Sequence, residues 1–339
     1  MSVSISWMGD CESFDDFIIF AQLKKNVTKV LFSMLSGLQK HLDGRLFQLC
    51  ERSSYFEIIM KYYIVDAFTR EPFGGNPAGV VLLDEDFPSE RLMQQVAAEL
   101  RYSETVFVQR QNYTEFTMRY FTPTGEVDLC GHATIAAFHL LWLQGKLRDD
   151  LPIVNHTLAG DLMVRIDSQV MMQMAAPRWV DKPLDANRLH EIMAGGSMLR
   201  WPDMPIEIIS TGLPDIIMPV ATVDDLNALE PNMAALSALS KEMDVVGVHA
   251  FALSDDGFTA HVRNFAPLYG IPEESATGTA NAALTHYLQR RGCIAPGAAC
   301  RFMQGEAMDR PSVIETTIDG EGCIWVGGPS CIVASGELL

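Results

Sequence analysis

The chain has 339 residues, 48% of them hydrophobic and 9% aromatic, enough to fill the cores of two ordinary domains, which excludes disorder as its resting state. Its 25 Lys and Arg against 43 Asp and Glu leave a formal charge of -18, the wrong sign for a nucleic-acid partner, so a small molecule or a protein is expected instead. The 7 cysteines include no Cys-x-x-Cys pair and fit neither a disulfide framework nor a zinc cage; they read as reduced thiols in a cytosol.

In chain order, residues 1–59 read apart from the rest. Apolar positions from Phe20 through Leu23, Val27, Leu31, Met34, Leu38 and Leu42 recur at helical spacing and predict one amphipathic helix, an appended leader rather than part of the core. Asp10, Glu12, Asp15 and Asp16 stand where a secretory signal needs positive charge, and no apolar run reaches the ~18 residues of a membrane span. A soluble, cytoplasmic protein with no membrane partner is the expectation.

Met60 opens a strand-like run, MKYYIVDAF. PFGGNPAG (72–79) predicts a turn-rich loop, with VVLLD the strand after it. Ser89 caps a helix over ERLMQQVAAELR, and YSETVFV is a loop running into a strand. LCGHATIAAFHLL (129–141) reads as a buried helix with Cys130, Gly131 and His132 at its mouth. MVRIDSQVMMQM and IEIISTGLPDIIMPV read as strands broken at turns. Helices are too few and too unevenly placed for a doubly wound parallel sheet, which leaves a mixed α+β fold.

An internal echo adds a constraint. RYFTPTGEVDLCGHATIAAFHLL (119–141) is answered by RNFAPLYGIPEESATGTANAALTHYL (263–288), each opening on Arg-x-Phe-x-Pro. Aligning Gly131 with Gly278 sets His132 on Thr279, Ala136 on Ala283 and His139 on His286. Two copies this far apart suggest duplicated domains rather than a solenoid. Each copy is a strand, a turn and a helix led by glycine, and the first turn of a helix has unpaired N–H groups and partial positive charge. Two such termini could hold one anionic substrate between them, with glycine at 131 and 278 letting it approach the backbone. The plain structural alternative is that Gly and Thr merely cap two core helices.

VDAFTREPFGGNPAGVV, SETVFV, RYFTPTGEVDLCGHATIAA, STGLPD and ESATGTANAAL, in order from about Met60 to the final GGPSCIVASGELL, resemble the PhzF family of phenazine-biosynthesis-like isomerases, relatives of diaminopimelate epimerase. The resemblance does not reach residues 1–59. It implies a diaminopimelate epimerase-like α+β fold of two similar domains, each a curved mixed sheet around a central helix, with the active site in the cleft between them. These would be residues 60–176 and 177–329, with the last strand, 330–339, a candidate to return to the first domain. It further implies a homodimer needing neither cofactor nor metal. The family's namesake, trans-2,3-dihydro-3-hydroxyanthranilate isomerase, moves a proton along a conjugated ring with a glutamate as acid and base.

Carried across, that glutamate is Glu104, and the histidine of the Cys-Gly-His motif is His132. Glu274 stands for an aspartate and Thr279 for a serine in EESATGT, and Asn76 matches a pocket asparagine. Gly131 and Gly278 would bind substrate at the helix mouths. The longer Glu274 and bulkier Thr279 put the namesake's own substrate in question. Apart from the resemblance, a carboxylate between a helix end and the strand from Val106 is partly desolvated, which suits proton transfer near neutral pH, although a solvated loop glutamate is the plainer reading. His132 at a helix terminus is biased toward neutral imidazole by the dipole.

In the epimerase relatives a cysteine precedes each glycine, and two thiols act on opposite faces of a carbon. Here Thr277 precedes Gly278, and its hydroxyl is too weakly acidic for that relay. Cys130 is expected to be a packing residue, its thiol pKa lowered somewhat by the dipole, and it lacks partners at metal-ligand spacing. His139, His249, His261 and His286 read as structural. Three functions stay open: a cofactor-independent isomerase of a small carboxylated substrate using Glu104, an amino- or hydroxy-acid epimerase or racemase, and a non-catalytic small-molecule binding protein.

Overall fold

The computed structural model describes residues 60–194 and 204–338; the helix expected before Met60 lies outside them. The first half of the described chain runs Met60–Ala67 (β1), Asn76–Leu83 (β2), Glu90–Leu100 (α1), Thr105–Arg110 (β3), Glu115–Phe121 (β4), Glu126–Val127 (β5), Gly131–Leu143 (α2), Ile153–Thr157 (β6), Gly160–Ile166 (β7) and Val170–Gln173 (β8). After Arg178–Trp179 (β9) and Ala186–Ala194 (α3) come Glu207–Ser210 (β10), Pro214–Pro219 (β11), Val223–Asn227 (α4), Met233–Met243 (α5), Val248–Leu253 (β12), Ala260–Ala266 (β13), Ile271–Glu274 (β14), Gly278–Arg290 (α6), Cys300–Gln304 (β15), Ser312–Ile318 (β16), Ile324–Gly328 (β17) and Ser330–Leu338 (β18).

The pairings repeat. In the first half β1 and β2 are antiparallel, β2 and β3 parallel, β3 and β4 antiparallel, β4 and β6 parallel, and β6, β7 and β8 antiparallel. The second half follows the same series through β10, β11, β12, β13, β15, β16 and β17. Parallel neighbours need a crossover, and in each half helices supply it at the same two places: α1 and α2 in the first, α4 with α5 and then α6 in the second. The short sequence echo is therefore the visible part of a repeat that extends over the strand order. β8 pairs with β17 to join the two series, and β18 returns to pair with β1.

Helix α2 packs against β1, β2, β3, β8 and β18, and α6 against β10, β11, β16 and β17. Nine residues of α2, from His132 to Leu141, are buried, so it is apolar nearly all round, as a helix enclosed by a curved sheet must be. Ile135, Phe138, Leu140 and Leu141 are each worth roughly 1.5–3 kcal/mol of burial, and Phe138 meets Phe116 of β4 edge-on at 5.3 Å between ring centroids. No described helix is long and apolar enough to cross a membrane.

Ser89 does cap α1, accepting from Leu92 N–H at 3.3 Å, and the strands expected after Met163 and Ile206 form as β7, β8, β10 and β11. One boundary differs. Asn76 to Gly79, expected in the loop, are the first four residues of β2, paired with Ala67 to Ile64, because the chain turns earlier, through Gly75 at φ +62°.

Candidate active site

The sequence echo places equivalent groups at equivalent points. Arg119 and Arg263 each make a two-pronged ion pair with an acid on the following short strand, Glu126 at 2.6 Å and Glu273 at 2.8 Å. These pairs fix the turn that leads into α2 and α6. The mouths of these two helices then differ from those of α1, α4 and α5. Ser89, Thr222 and Asn232 cap α1, α4 and α5 with a side-chain oxygen, whereas the extended N-cap residues Cys130 and Thr277 make no side-chain cap bond. Thr277 turns its hydroxyl away to Glu274 Oε2 at 2.5 Å. The mere-capping alternative for Thr277 is therefore set aside.

A chain of side chains joins the two mouths. Glu104 Oε2 lies 3.3 Å from His132 Nε2, and Ser103 Oγ is equally near that nitrogen. On the other side of the ring, Asn76 Nδ2 sits 3.3 Å from His132 Nδ1, 3.1 Å from Glu274 Oε1 and 3.0 Å from the carbonyl of Ala276. The two N–H groups of this amide go to the nearer oxygens of Ala276 and Glu274, and the His132 ring stands beside it with Nε2 facing Glu104 and Ser103. Glu104 Oε2 is buried and, though within ionic reach of His132, has no hydrogen bond of good geometry. That leaves a carboxylate oxygen directed into the site with its hydrogen-bonding capacity unspent.

Two elements hold these groups. Glu104 follows α1, whose last turn ends on a left-handed Arg101 (φ 60°), and its carbonyl accepts from Gly79 N–H of β2 at 3.1 Å. Asn76 ends a loop clamped by Arg310, which donates to the carbonyls of Gly75 (2.9 Å) and Gly74 (2.6 Å) and to Asp66 Oδ1 (2.9 Å). Ser275 Oγ also donates to the Gly75 carbonyl, at 3.0 Å. The loop from the first half of the chain is thus tied to segments of the second half on either side of α6.

Burial sets the protonation states. It lowers the His132 pKa, against the pull of Glu104, so the neutral bias expected of this ring holds but its main cause is desolvation. Glu274 is pushed up to about 7, by burial first, with Glu104 raising it further and the bonds from Thr277 and Asn76 holding it down. The Cys130 expectation is corrected: its thiol pKa is raised well above its ordinary value, because burial and the Glu104 and Glu274 carboxylates outweigh what the helix terminus offers through Ala133 N–H.

Glu104, Cys130 and His132 bring a carboxylate, a sulfur and an imidazole nitrogen within 4.8 Å of one another, a spacing a metal ion could bridge. The surroundings fit such an ion poorly. A metal on Nε2 wants a carboxylate or carbonyl behind the other ring nitrogen, whereas the neighbours of Nδ1 here are the Asn76 amide nitrogen at 3.3 Å and the Cys130 sulfur at 3.4 Å.

Of the residues singled out in the sequence, Asn76, Glu104, His132 and Glu274 form this one chain. Gly131 and Gly278 open the two helices. A Cβ on Gly278 would stand 3.3 Å from Val326 Cγ1, so close packing asks for glycine there as much as ligand approach does. Thr279 lies half-buried in the first turn of α6, where its carbonyl accepts from Thr211 Oγ1 at 2.9 Å. Sequence reasoning missed Ser103, Arg310 and Gln304, which donates to Thr277 Oγ1 at 3.0 Å and to the Glu274 carbonyl at 2.8 Å. Ser103 was adjacent to a motif glutamate; Arg310 and Gln304 lie in stretches without any local signal.

Comparison with known proteins gives the family and the fold. The sequence signature described as "Phenazine biosynthesis-like protein" (PhzC-PhzF) matches residues 65–336. A Deinococcus radiodurans protein named "uncharacterized isomerase" is 34% identical over 84% of this chain and 96% of its own length. The trans-2,3-dihydro-3-hydroxyanthranilate isomerase of Pseudomonas fluorescens is 30% identical over 76% of this chain and 90% of its own. Among solved structures, a Bacillus anthracis phenazine biosynthesis protein of the PhzF family superposes with a TM-score of 0.73 at 28% identity, covering 83% of this chain and 99% of that one. A hydroxyproline epimerase from Agrobacterium vitis shares the fold alone, at TM-score 0.56 and 13% identity over 83% of this chain and 91% of that one.

Proposed function

The chain belongs to the phenazine biosynthesis-like (PhzC-PhzF) family, a family of isomerases with the diaminopimelate epimerase-like fold, and on that premise we propose that it is a cofactor-independent isomerase of a small carboxylated substrate in which Glu104 carries the proton. The observation that carries the reading is the buried, hydrogen-bond-free Oε2 of Glu104, set beside His132 in the chain of groups that joins the two uncapped helix mouths.

In this reading residues 60–176 and 177–329 are two similar domains, and the substrate lies in the cleft between them. Its carboxylate accepts from N–H groups of the first turns at Gly131 and Gly278, where helix polarity favours negative charge without a cationic side chain. Glu104 Oε2 removes a proton from a carbon made acidic by conjugation: the C–H bond breaks, the O–H bond forms, and the electron pair spreads into the conjugated system. The same O–H then delivers its proton to another carbon of that system. His132, with Nε2 beside that oxygen, steadies the carboxylate between the two steps. Glu274, poised near neutrality, and Thr279 line the second mouth, and Asn76, its N–H groups spent on the protein, offers its carbonyl to the ligand. A homodimer and a cytoplasmic location belong to the same proposal, the first checked by light scattering.

A two-thiol epimerase is disfavoured because Thr277, standing where the second thiol would be, donates its hydroxyl to Glu274. Solvent isotope exchange separates the readings. Incubated in heavy water with trans-2,3-dihydro-3-hydroxyanthranilate and other conjugated carboxylates, the protein should place deuterium on carbon with a shift of the double bond. Exchange with inversion at one carbon would favour an epimerase, and binding without exchange a non-catalytic protein.

A further inference from the structure

The repeat gives each group of the site a counterpart in the other half. Gly79 N–H of β2 donates to the Glu104 carbonyl at 3.1 Å, and Ile216 N–H of β11 donates to the Gly247 carbonyl at 3.0 Å. Gly79 and Ile216 are also the residues that pair with Thr105 and Val248, the first residues of β3 and β12. Glu104 therefore corresponds to Gly247, and, counting back along β2 and β11, Pro77 corresponds to Pro214 and Asn76 to Leu213. A glycine at positive φ precedes each of the last two, Gly75 and Gly212. Aligning Gly131 with Gly278 sets Val127 against Glu274 and Leu129 against Ala276, in step with the matching ion pairs of Glu126 and Glu273.

The two sides of the site differ in kind. Asn76 stands beside His132 and donates across to Glu274 Oε1 and the Ala276 carbonyl. The counterparts of these four residues are Leu213, Thr279, Val127 and Leu129, with one hydroxyl among them. Val127 and Leu129 are half-buried against the main core, and Leu213 is 54% exposed. The hairpin that carries Leu213 is held to α6 by Thr211 Oγ1, which donates to the Thr279 carbonyl at 2.9 Å. A side chain in place of Gly247 would put its Cβ 1.8 Å from the Phe265 carbonyl oxygen, so this half holds no counterpart of the Glu104 carboxylate. Small-molecule sites are walled mainly by apolar groups, with a few polar ones fixing orientation. Here the polar ones gather on the Glu104 side.

We propose that Leu213, with Val127 and Leu129, is the apolar wall of the substrate site, set against the first helix mouth as Asn76 is set against the second, and that it selects carboxylates bearing a hydrocarbon ring or chain. The wall rests on the isomerase reading for its purpose, but its test is binding, so a failed isotope exchange would sink that reading and leave the wall standing. Calorimetric titration compares a conjugated cyclohexenecarboxylate with acrylate, which has the same conjugated acid without the ring. The unaltered protein should prefer the ring acid. Leu213→Asn, which installs the first-half residue, should reduce that preference about tenfold, through weaker binding of the ring acid with acrylate unmoved. Leu213→Met, apolar and of similar volume, should keep it. Equal affinity of the two acids for the unaltered protein, or an unmoved preference in folded Leu213→Asn, would overturn the proposal, as would a loss that acrylate shares equally.

Discussion

At the scale of single residues, the site separates groups by what surrounds them. Cys130 stands at a helix mouth, where a lone cysteine in a sequence looks like a nucleophile, but its thiol is held protonated by burial and by two neighbouring carboxylates. Its sulfur lies 3.4 Å from His132 Nδ1, a nitrogen that Asn76 also approaches. Cys130→Ser should therefore keep turnover within about tenfold, the ~1.4 kcal/mol of a local repacking. A loss of three orders of magnitude in a steady-state assay would return the thiol to the mechanism. Glu104 and His132 were legible as a pair because both sit in short motifs. The bridge from His132 to the second mouth was not, since it runs through Asn76, 56 residues before His132 in the chain.

At the scale of elements, the loop from Phe68 to Asn76 matters as much as the helices. Gly75 takes φ +62°, and a Cβ there would run into the carbonyl of Ala67, a backbone atom that cannot swing aside. Gly75→Ala should then cost about 1–3 kcal/mol of stability and move Asn76 off its acceptors on Glu274 and Ala276, lowering turnover more than binding of a carboxylate ligand. Denaturant unfolding beside steady-state kinetics checks both; unchanged stability would show that the loop relaxes freely. Turn residues made this loop visible in the sequence, and Ser89 announced α1. What stayed hidden included α3, α4 and α5 as elements and the clamp from Arg310, whose partners Gly74 and Gly75 are more than 230 residues away.

At the scale of the whole molecule, an echo of some two dozen residues was the only trace of a repeat that the strand pairing extends over seven strands a side. Register, not identity, preserves it, which is why the polar positions of the second half had no visible counterpart. Those buried groups also set the pH response. Asp215, pushed up to about 8, and Glu274, near 7, bind protons in the folded state that the unfolded chain has released, so their stabilisation is lost as pH rises through those values. His249, lowered to about 3, and His132 act oppositely, costing stability only as pH falls below about 6.5. The melting temperature should consequently drop between pH 6.5 and 8, and calorimetry showing a rise over that interval would contradict the assignment of these carboxyls as buried. The central claim, that Glu104 moves the proton while the helix mouths hold the charge, is tested most directly by Glu104→Gln in a turnover assay beside calorimetric titration with the same carboxylated ligand. The account predicts a rate loss of at least ~10²–10⁴-fold with binding little changed; turnover near the wild-type rate would contradict it.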